Sequence, residues 1–237
     1  MKKIFKTLHH NDCVTKETRI DIWQFPLDRS LLKEEKALLS DDEQARAKKF
    51  YFERHQRRFT IARATLRRIL ARYLAISAHD LCFKYNDHGK PSLDHPSISL
   101  EFNLSHSSEL ALLAVGHTHP LGIDLEFFSA RPFQGIGQHV FSADENTQFR
   151  QLSPSIKPLA FFHLWSQKEA FIKAIGLGLA YPTQELSIPM LSPTHQQIID
   201  QKYGSTWNVV SFMPEAACCA ALCYHPTIQE IRYTKDA

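Results

Sequence analysis

Two short runs, Ser40-Asp41-Asp42-Glu43 and Ser142-Ala143-Asp144-Glu145, constrain the fold of this chain more than any other feature. Each is a capping box, in which a serine and a glutamate three residues later satisfy the first free amides of a helix. Each precedes a long helical pattern. Residues 54 to 75 place apolar groups at Phe59, Ala62, Leu66, Ile69, Leu70 and Tyr73, and residues 158 to 175 close at Gly176 and Gly178 before Pro182. Strand-like runs follow both: LCFKYN, SISLEFNLS, ELALLAVG and LGIDLEFF after the first, ELSIP, TWNVVSFM and AACCAALCYH after the second. Before the first box, RIDIWQF alternates like a strand and leads into a helical RSLLKEEKALLS. The order repeats at an offset of roughly 100 residues, which predicts an α+β fold of two similar halves, residues 1–118 and 119–237, with a ligand cleft between them.

Composition removes several function classes. With 28 basic and 25 acidic residues the formal charge is only +3, too slight for bulk attraction to nucleic acid or an anionic membrane, so any basic patch is local. No window approaches about 18 uninterrupted apolar residues, and MKKIFKTLHHND is too polar for a signal peptide, which together predict a soluble, cytoplasmic protein. The five cysteines form no CxxC pair and read as reduced, small core residues.

Within the second half, Gly122-Ile123-Asp124-Leu125-Glu126 puts two carboxylates on one face of a strand. Their repulsion calls for water or a cation. The helical run FFHLWSQKEAFIKAIG carries a third carboxylate, Glu169, on a stripe with Phe162, Trp165 and Ile172, and Lys173 one turn on suits an i,i+4 ion pair. Three carboxylates match the oxygen preference of Mg²⁺. Elsewhere, ERHQRRFTIARATLRRILARYL pairs Arg54 with Arg58 and Arg63 with Arg67 one turn apart, a solvated face or an anion site. FNLSHS ends a strand with Ser105 and His106, suited to a turn or a phosphate, and HGKPSL offers Lys90 in a turn. No nucleophile elbow, P-loop or HExxH accompanies them.

Read together, GKP, FNLSHS, GIDLE and FFHLWSQKEAFIKAIGLGL resemble the 4'-phosphopantetheinyl transferases of the broad-specificity, surfactin-synthetase-activating class, over roughly Ser40 to Pro182. G-I-D-x-E and W-x-x-K-E-A-x-x-K at this separation form the specific part. The resemblance implies a monomeric, intramolecular pseudo-dimer with coenzyme A and Mg²⁺ between the halves. It implies that Asp124, Glu126 and Glu169 hold the metal, that Ser105 and His106 contact a phosphate of coenzyme A, and that Lys90 lies near its adenine end. Arg46 and Arg58 fall where the family has basic groups for the 3'-phosphate, whereas Glu43 stands where relatives can carry another cation. The implied reaction moves 4'-phosphopantetheine to a serine of an acyl or peptidyl carrier protein and releases 3',5'-ADP, with Glu169 as base and Lys173 assisting the departing phosphate. Carriers of fatty-acid, polyketide and peptide synthesis all qualify, and Phe149 and Leu152 are the expected docking residues. A coenzyme A-binding module without catalysis is the alternative reading.

Overall fold

The computed structural model describes residues 4–8, 12–95, 99–129, 133–190 and 193–235; Ser97 and Ile98, the start of one expected strand, lie outside them. In chain order the elements are β1 (Lys6–Thr7), β2 (Arg19–Pro26), α1 (Lys33–Leu38), α2 (Asp41–Lys48), α3 (Glu53–Leu74), β3 (Phe83–Tyr85), β4 (Pro91–Leu93), β5 (Leu100–Ser107), β6 (Leu110–His117), β7 (Leu121–Phe127), α4 (Phe133–Val140), α5 (Ala143–Gln151), α6 (Lys157–Ile175), β8 (His195–Asp200), β9 (Ser205–Phe212), β10 (Cys218–Tyr224) and β11 (Glu230–Lys235). They form a five-stranded sheet in the order β1-β11-β2-β6-β5, a four-stranded sheet in the order β7-β10-β9-β8, and the β3–β4 hairpin.

The period-two pattern of each strand sorts its side chains between two cores. In the first sheet Trp23, Phe25, Leu113 and Val115 face α3, while Ile20, Ile22, Leu112 and Ala114 face the second sheet. In the second, Ile123, Leu125, Ala220 and Leu222 join that shared middle core, and Cys219, Ala221 and Cys223 pack under α6. The layers therefore run α3, sheet, sheet, α6, as two similar α+β halves demand. The last strand crosses the boundary at residue 118: β11 inserts between β1 and β2, parallel to both, tying the C-terminus into the N-terminal sheet.

The edges of the two sheets meet without a ladder. On β5, Asn103, Ser105 and Ser107 share one face, and their side-chain oxygens accept the N–H groups of Ile123, Leu125 and Phe127 on β7 at 2.8, 3.3 and 3.2 Å. Alternate amides of an otherwise unpaired edge are satisfied this way.

Both capping-box glutamates reach further than their helices. Glu43 accepts the Ser40 amide at 3.1 Å and is also gripped by Arg63 and by Arg67, whose Nε lies 2.7 Å from Oε2. Burial works against its ionisation, but the two arginines outweigh that and hold Glu43 below the usual carboxylate range. Arg63 and Arg67 are thus buried structural groups, not the solvated face or anion site expected from sequence. In the second half Glu145 accepts the Ser142 amide at 2.7 Å, the Ile188 amide at 2.6 Å and the ammonium of fully buried Lys168 at 2.7 Å. Lys168 also donates to the carbonyls of Thr183 (2.8 Å) and Leu186 (2.6 Å). The expected strand ELSIP is therefore no strand: its amide and carbonyl go to Glu145 and Lys168 in place of a ladder, while Leu186 and Ile188 fill the core. The polar run HQQIID, which carries no clear alternation, forms β8 instead.

Helix α6 lies on β7 through Gly122. A Cβ there would meet the Ala170 carbonyl oxygen at 2.1 Å and the Ala174 amide nitrogen at 2.3 Å, both backbone atoms of the helix. Gly122→Ala should lower stability by about 3 kcal/mol or more. In thermal denaturation that is a fall of roughly 6–12 °C in Tm. Gly135→Ala, whose methyl within α4 meets nothing within 4 Å, should leave stability unchanged or raise it by up to about 1 kcal/mol, and equal losses at the two sites would contradict the close approach. Lys168→Met strands Glu145 in the core and should cost about 3–5 kcal/mol in chemical denaturation.

Candidate active site

The close approach at Gly122 brings one face of β7 under one face of α6. Gly122, Asp124 and Glu126 alternate onto the side that meets the helix, and Trp165, Glu169 and Lys173 descend from the helix at spacings of four. Lys173 donates to Asp124 Oδ1 at 2.6 Å and to Ser105 Oγ at 3.0 Å, so its ammonium turns to the strand carboxylate. Ser105 in turn donates to Asp124 Oδ1 at 3.1 Å. Glu126 is oriented from both sides, accepting Trp165 Nε1–H on Oε1 at 3.2 Å and Ser107 Oγ–H on Oε2 at 3.3 Å.

The charge balance at this junction is negative. Burial first, then the carboxylates of Asp124 and Glu126, push the Glu169 carboxyl up to about 7 against the opposing pull of Lys173. Asp124 Oδ2 is buried with no hydrogen-bond partner. An all-oxygen donor set, an orphaned carboxylate oxygen and an acid held near neutrality fit a hard divalent cation such as Mg²⁺. Among the described residues no three acidic, histidine or cysteine side chains form a ready-made metal cage. Asp124, Glu126 and Glu169 thus supply the donor chemistry of such a cation without forming a closed cage.

A cleft of about 290 Å³ opens beside these groups, between the β3–β4 turn, β5 and α6, with His88, Lys90, Asn103, Glu169 and Lys173 in its walls. It lies between the halves, where the repeat predicted a ligand. A larger hollow of about 630 Å³ between α1, α2 and α3 shares no lining residue with it and carries none of the carboxylate groups. The GKP turn is fixed by Asn86, whose Oδ1 accepts the Lys90 amide and whose Nδ2 donates to the Gly176 carbonyl at 2.7 Å. Lys90 Nζ is itself committed to the carbonyls of Ala174 (2.8 Å) and Leu121 (3.2 Å), and burial lowers its affinity for the proton. Lys90 therefore shapes the cleft through its stem while its ammonium fastens β7 to the end of α6.

The remaining expected site residues are more dispersed. Ser105 is buried in the seam between the sheets, its hydroxyl shared among Asp124, Lys173 and the Leu125 amide. His106, the next residue, keeps part of its surface open; surrounding protein, Lys173 and Arg58 all disfavour its imidazolium. Arg58 pairs with Glu109, and Arg46 stands exposed on α2 with its guanidinium 5.4 Å from the centre of the Phe59 ring. Neither arginine lines the cleft. The expected docking residues are displaced inward: Phe149 belongs to the core under α6 and Leu152 packs against it, whereas Ile156 and Leu159 at the start of α6 are exposed. Cys13, Cys218, Cys219 and Cys223 are buried free thiols, but Cys82 is exposed.

Sequence reasoning missed the residues that orient the carboxylates. Trp165 and Ser107 hold Glu126, and Asn103 joins them in the seam. The signal was present in N-L-S-H-S, three hydrogen-bonding side chains on one face of a strand.

This arrangement occurs in a chain that matches two family models: 4'-phosphopantetheinyl transferase, N-terminal, over residues 22–118, and 4'-phosphopantetheinyl transferase superfamily over residues 120–223. The 4'-phosphopantetheinyl transferase HetI of Nostoc sp. is 39% identical over 210 residues, 86% of each chain. The chain belongs to the 4'-phosphopantetheinyl transferase family. A putative 4'-phosphopantetheinyl transferase of Synechocystis is 34% identical, covering 80% of this chain and 78% of its own, and 4'-phosphopantetheinyl transferase Sfp of Bacillus subtilis is 29% identical, covering 70% and 75%. Membership makes the chain a transferase of the Sfp-like class, as its motifs implied, built on the α+β fold of that family. No helix among the described residues is long and apolar enough to cross a membrane.

The raised carboxyl of Glu169 makes stability depend on pH. Its affinity for the proton rises on folding, from the ordinary 4.5 to about 7, so its contribution is fully present below pH 4.5 and is lost as pH rises through 7. Glu169→Gln, which mimics the protonated form, should stabilise the metal-free protein at pH 8 by up to about 3 kcal/mol and leave it unchanged at pH 4. Denaturant melts at the two pH values read this directly; a stabilisation that grows on acidification would reverse the assignment.

Proposed function

We propose that this 4'-phosphopantetheinyl transferase moves the phosphopantetheine arm of coenzyme A onto a serine hydroxyl of an acyl or peptidyl carrier protein, leaving 3',5'-ADP. The observation that carries the reading is the meeting of Asp124, Glu126, Glu169 and Lys173 at the cleft between the halves of a chain from this family. In this reaction the serine oxygen forms a bond to the phosphorus that bears pantetheine. The bond from that phosphorus to the oxygen leading to the nucleotide breaks, and the serine proton must leave. Glu169, whose carboxyl burial and the neighbouring carboxylates raise toward neutrality in the metal-free protein, is suited to take that proton, directly or through a water. Lys173 presents an ammonium beside Asp124 that can neutralise charge on the departing phosphate. Asp124, Glu126 and Glu169 would hold Mg²⁺, which when bound neutralises pyrophosphate oxygens.

Recognition of the donor follows from the positions matched in the motifs. His106 and the Ser105 seam face the pyrophosphate, the fixed turn at Lys90 faces the adenine end, and Arg46 and Arg58 serve the 3'-phosphate. Ser105 contributes chiefly by holding Lys173 and Asp124, since its hydroxyl is already engaged. Two halves in one chain supply both walls of the cleft, which suits a monomer.

Incubation with coenzyme A, Mg²⁺ and several apo carrier proteins should add the mass of one phosphopantetheine to a carrier serine. Asp124→Asn should reduce kcat by about 100-fold or more, because a carboxylate in the developing charge array is lost. Coenzyme A binding without mass gain on any carrier would instead indicate a binding module.

A further inference from the structure

The charged row at the site continues beyond Lys173. Lys173 reaches Ser105, the adjoining His106 feels both Lys173 and Arg58, and Arg58 Nη2 donates to Glu109 Oε1 at 2.5 Å. Glu109 also accepts from Arg57 Nη2 at 3.3 and 3.4 Å. Its backbone is anchored, with the carbonyl accepting the Leu27 amide at 2.7 Å just after Ser108, which turns β5 into β6 with φ +52°. Arg58 is held end-on by one nitrogen, and its buried Nε has no hydrogen-bond partner. A phosphate dianion, with several oxygens and two charges, would satisfy more of that guanidinium fork than one carboxylate oxygen does.

We propose that Glu109 is a built-in counter-ion that occupies Arg58 in place of the 3'-phosphate of coenzyme A, so that donor entry exchanges one anion for another on the same guanidinium. This rests on the reading above, in which Arg58 serves that phosphate. Glu109 is a positioning residue: it touches Arg58 and not the reacting atoms. It keeps Arg58 in place and neutralised between turnovers, and it lowers the affinity gained from the 3'-phosphate by the strength of the pair it gives up. The leaving 3',5'-ADP still carries that phosphate, so recapture of Arg58 by Glu109 also favours product release. Donors without a 3'-phosphate do not compete with Glu109.

Isothermal titration of coenzyme A, 3',5'-ADP and dephospho-coenzyme A against the full chain and Glu109→Gln tests this. The variant should bind the first two about two- to five-fold more tightly, the equilibrium equivalent of a half-exposed ion pair, and bind dephospho-coenzyme A unchanged. Glu109→Asp, which keeps the charge but shortens the reach, should shift the same way to a smaller degree and serves if the Gln variant folds poorly. Equal changes for all three ligands, or weaker binding of coenzyme A, would show that the pair merely clamps the β5–β6 turn to α3 and overturn the proposal. Equal affinity of the unaltered protein for coenzyme A and dephospho-coenzyme A would instead remove the 3'-phosphate reading of Arg58 itself.

Discussion

The site depends on a missing side chain. At Gly122 the backbone of α6 occupies the volume that a β-carbon would need, and no other residue type permits that contact. Its consequence is one of register. Two residues along a strand advance about 6.6 Å, and four along a helix about 6 Å. Asp124 and Glu126 therefore repeat along β7 at nearly the spacing at which Trp165, Glu169 and Lys173 repeat along α6, and the two rows stay in step. A helix held further off would leave the carboxylates facing water, where their repulsion would be screened and Glu169 would titrate as an ordinary acid.

The seam between the sheets supports the same groups from the opposite side. Asn103, Ser105 and Ser107 satisfy the free amides of β7, and the two serines also hydrogen-bond Asp124 and Glu126. The joint that unites the halves thus sets the orientation of the carboxylates. With the middle core drawn from both sheets and β11 inserted in the first, the halves are interdependent, and a change in the seam reaches the site through one hydrogen bond.

Much of this was legible in the sequence because the signals are local. Capping boxes, the period of α3 and α6 and the alternation of β2, β6 and β7 each report neighbours within a turn or two, and the α+β class and central cleft followed from their order. What escaped depends on partners distant in sequence. Periodicity put Arg63 and Arg67 on a polar face but could not show that Glu43 buries them, and no local pattern shows that Glu145 and three carbonyls close around Lys168. Phe149 read as an exposed apolar residue because the core that receives it is built mainly from α6 and the second sheet. β11 pairs in parallel with a strand near the other end of the chain, a contact for which no short-range pattern exists.

The two halves also show how one architecture yields a closed site and an open one. Each has a strand with an aspartate that faces the long helix, in Arg19-Ile20-Asp21-Ile22-Trp23 and in Gly122-Ile123-Asp124-Leu125-Glu126. In the first half both oxygens of Asp21 are saturated: Arg19 and Arg232 donate to Oδ1 at 3.0 and 2.8 Å, and Arg232 and Tyr73 donate to Oδ2, each at 2.6 Å. In the second, Lys173 and Ser105 both converge on Oδ1 of Asp124, and Oδ2 is left buried without a partner. The position two residues before the aspartate accounts for much of the difference. Arg19 brings a cation onto its own strand carboxylate, whereas Gly122 brings none and admits the helix that carries Glu169. A saturated aspartate is a structural tie. An aspartate with one satisfied oxygen, a second carboxylate on its strand and a third above it leaves uncompensated negative charge that a cation would offset.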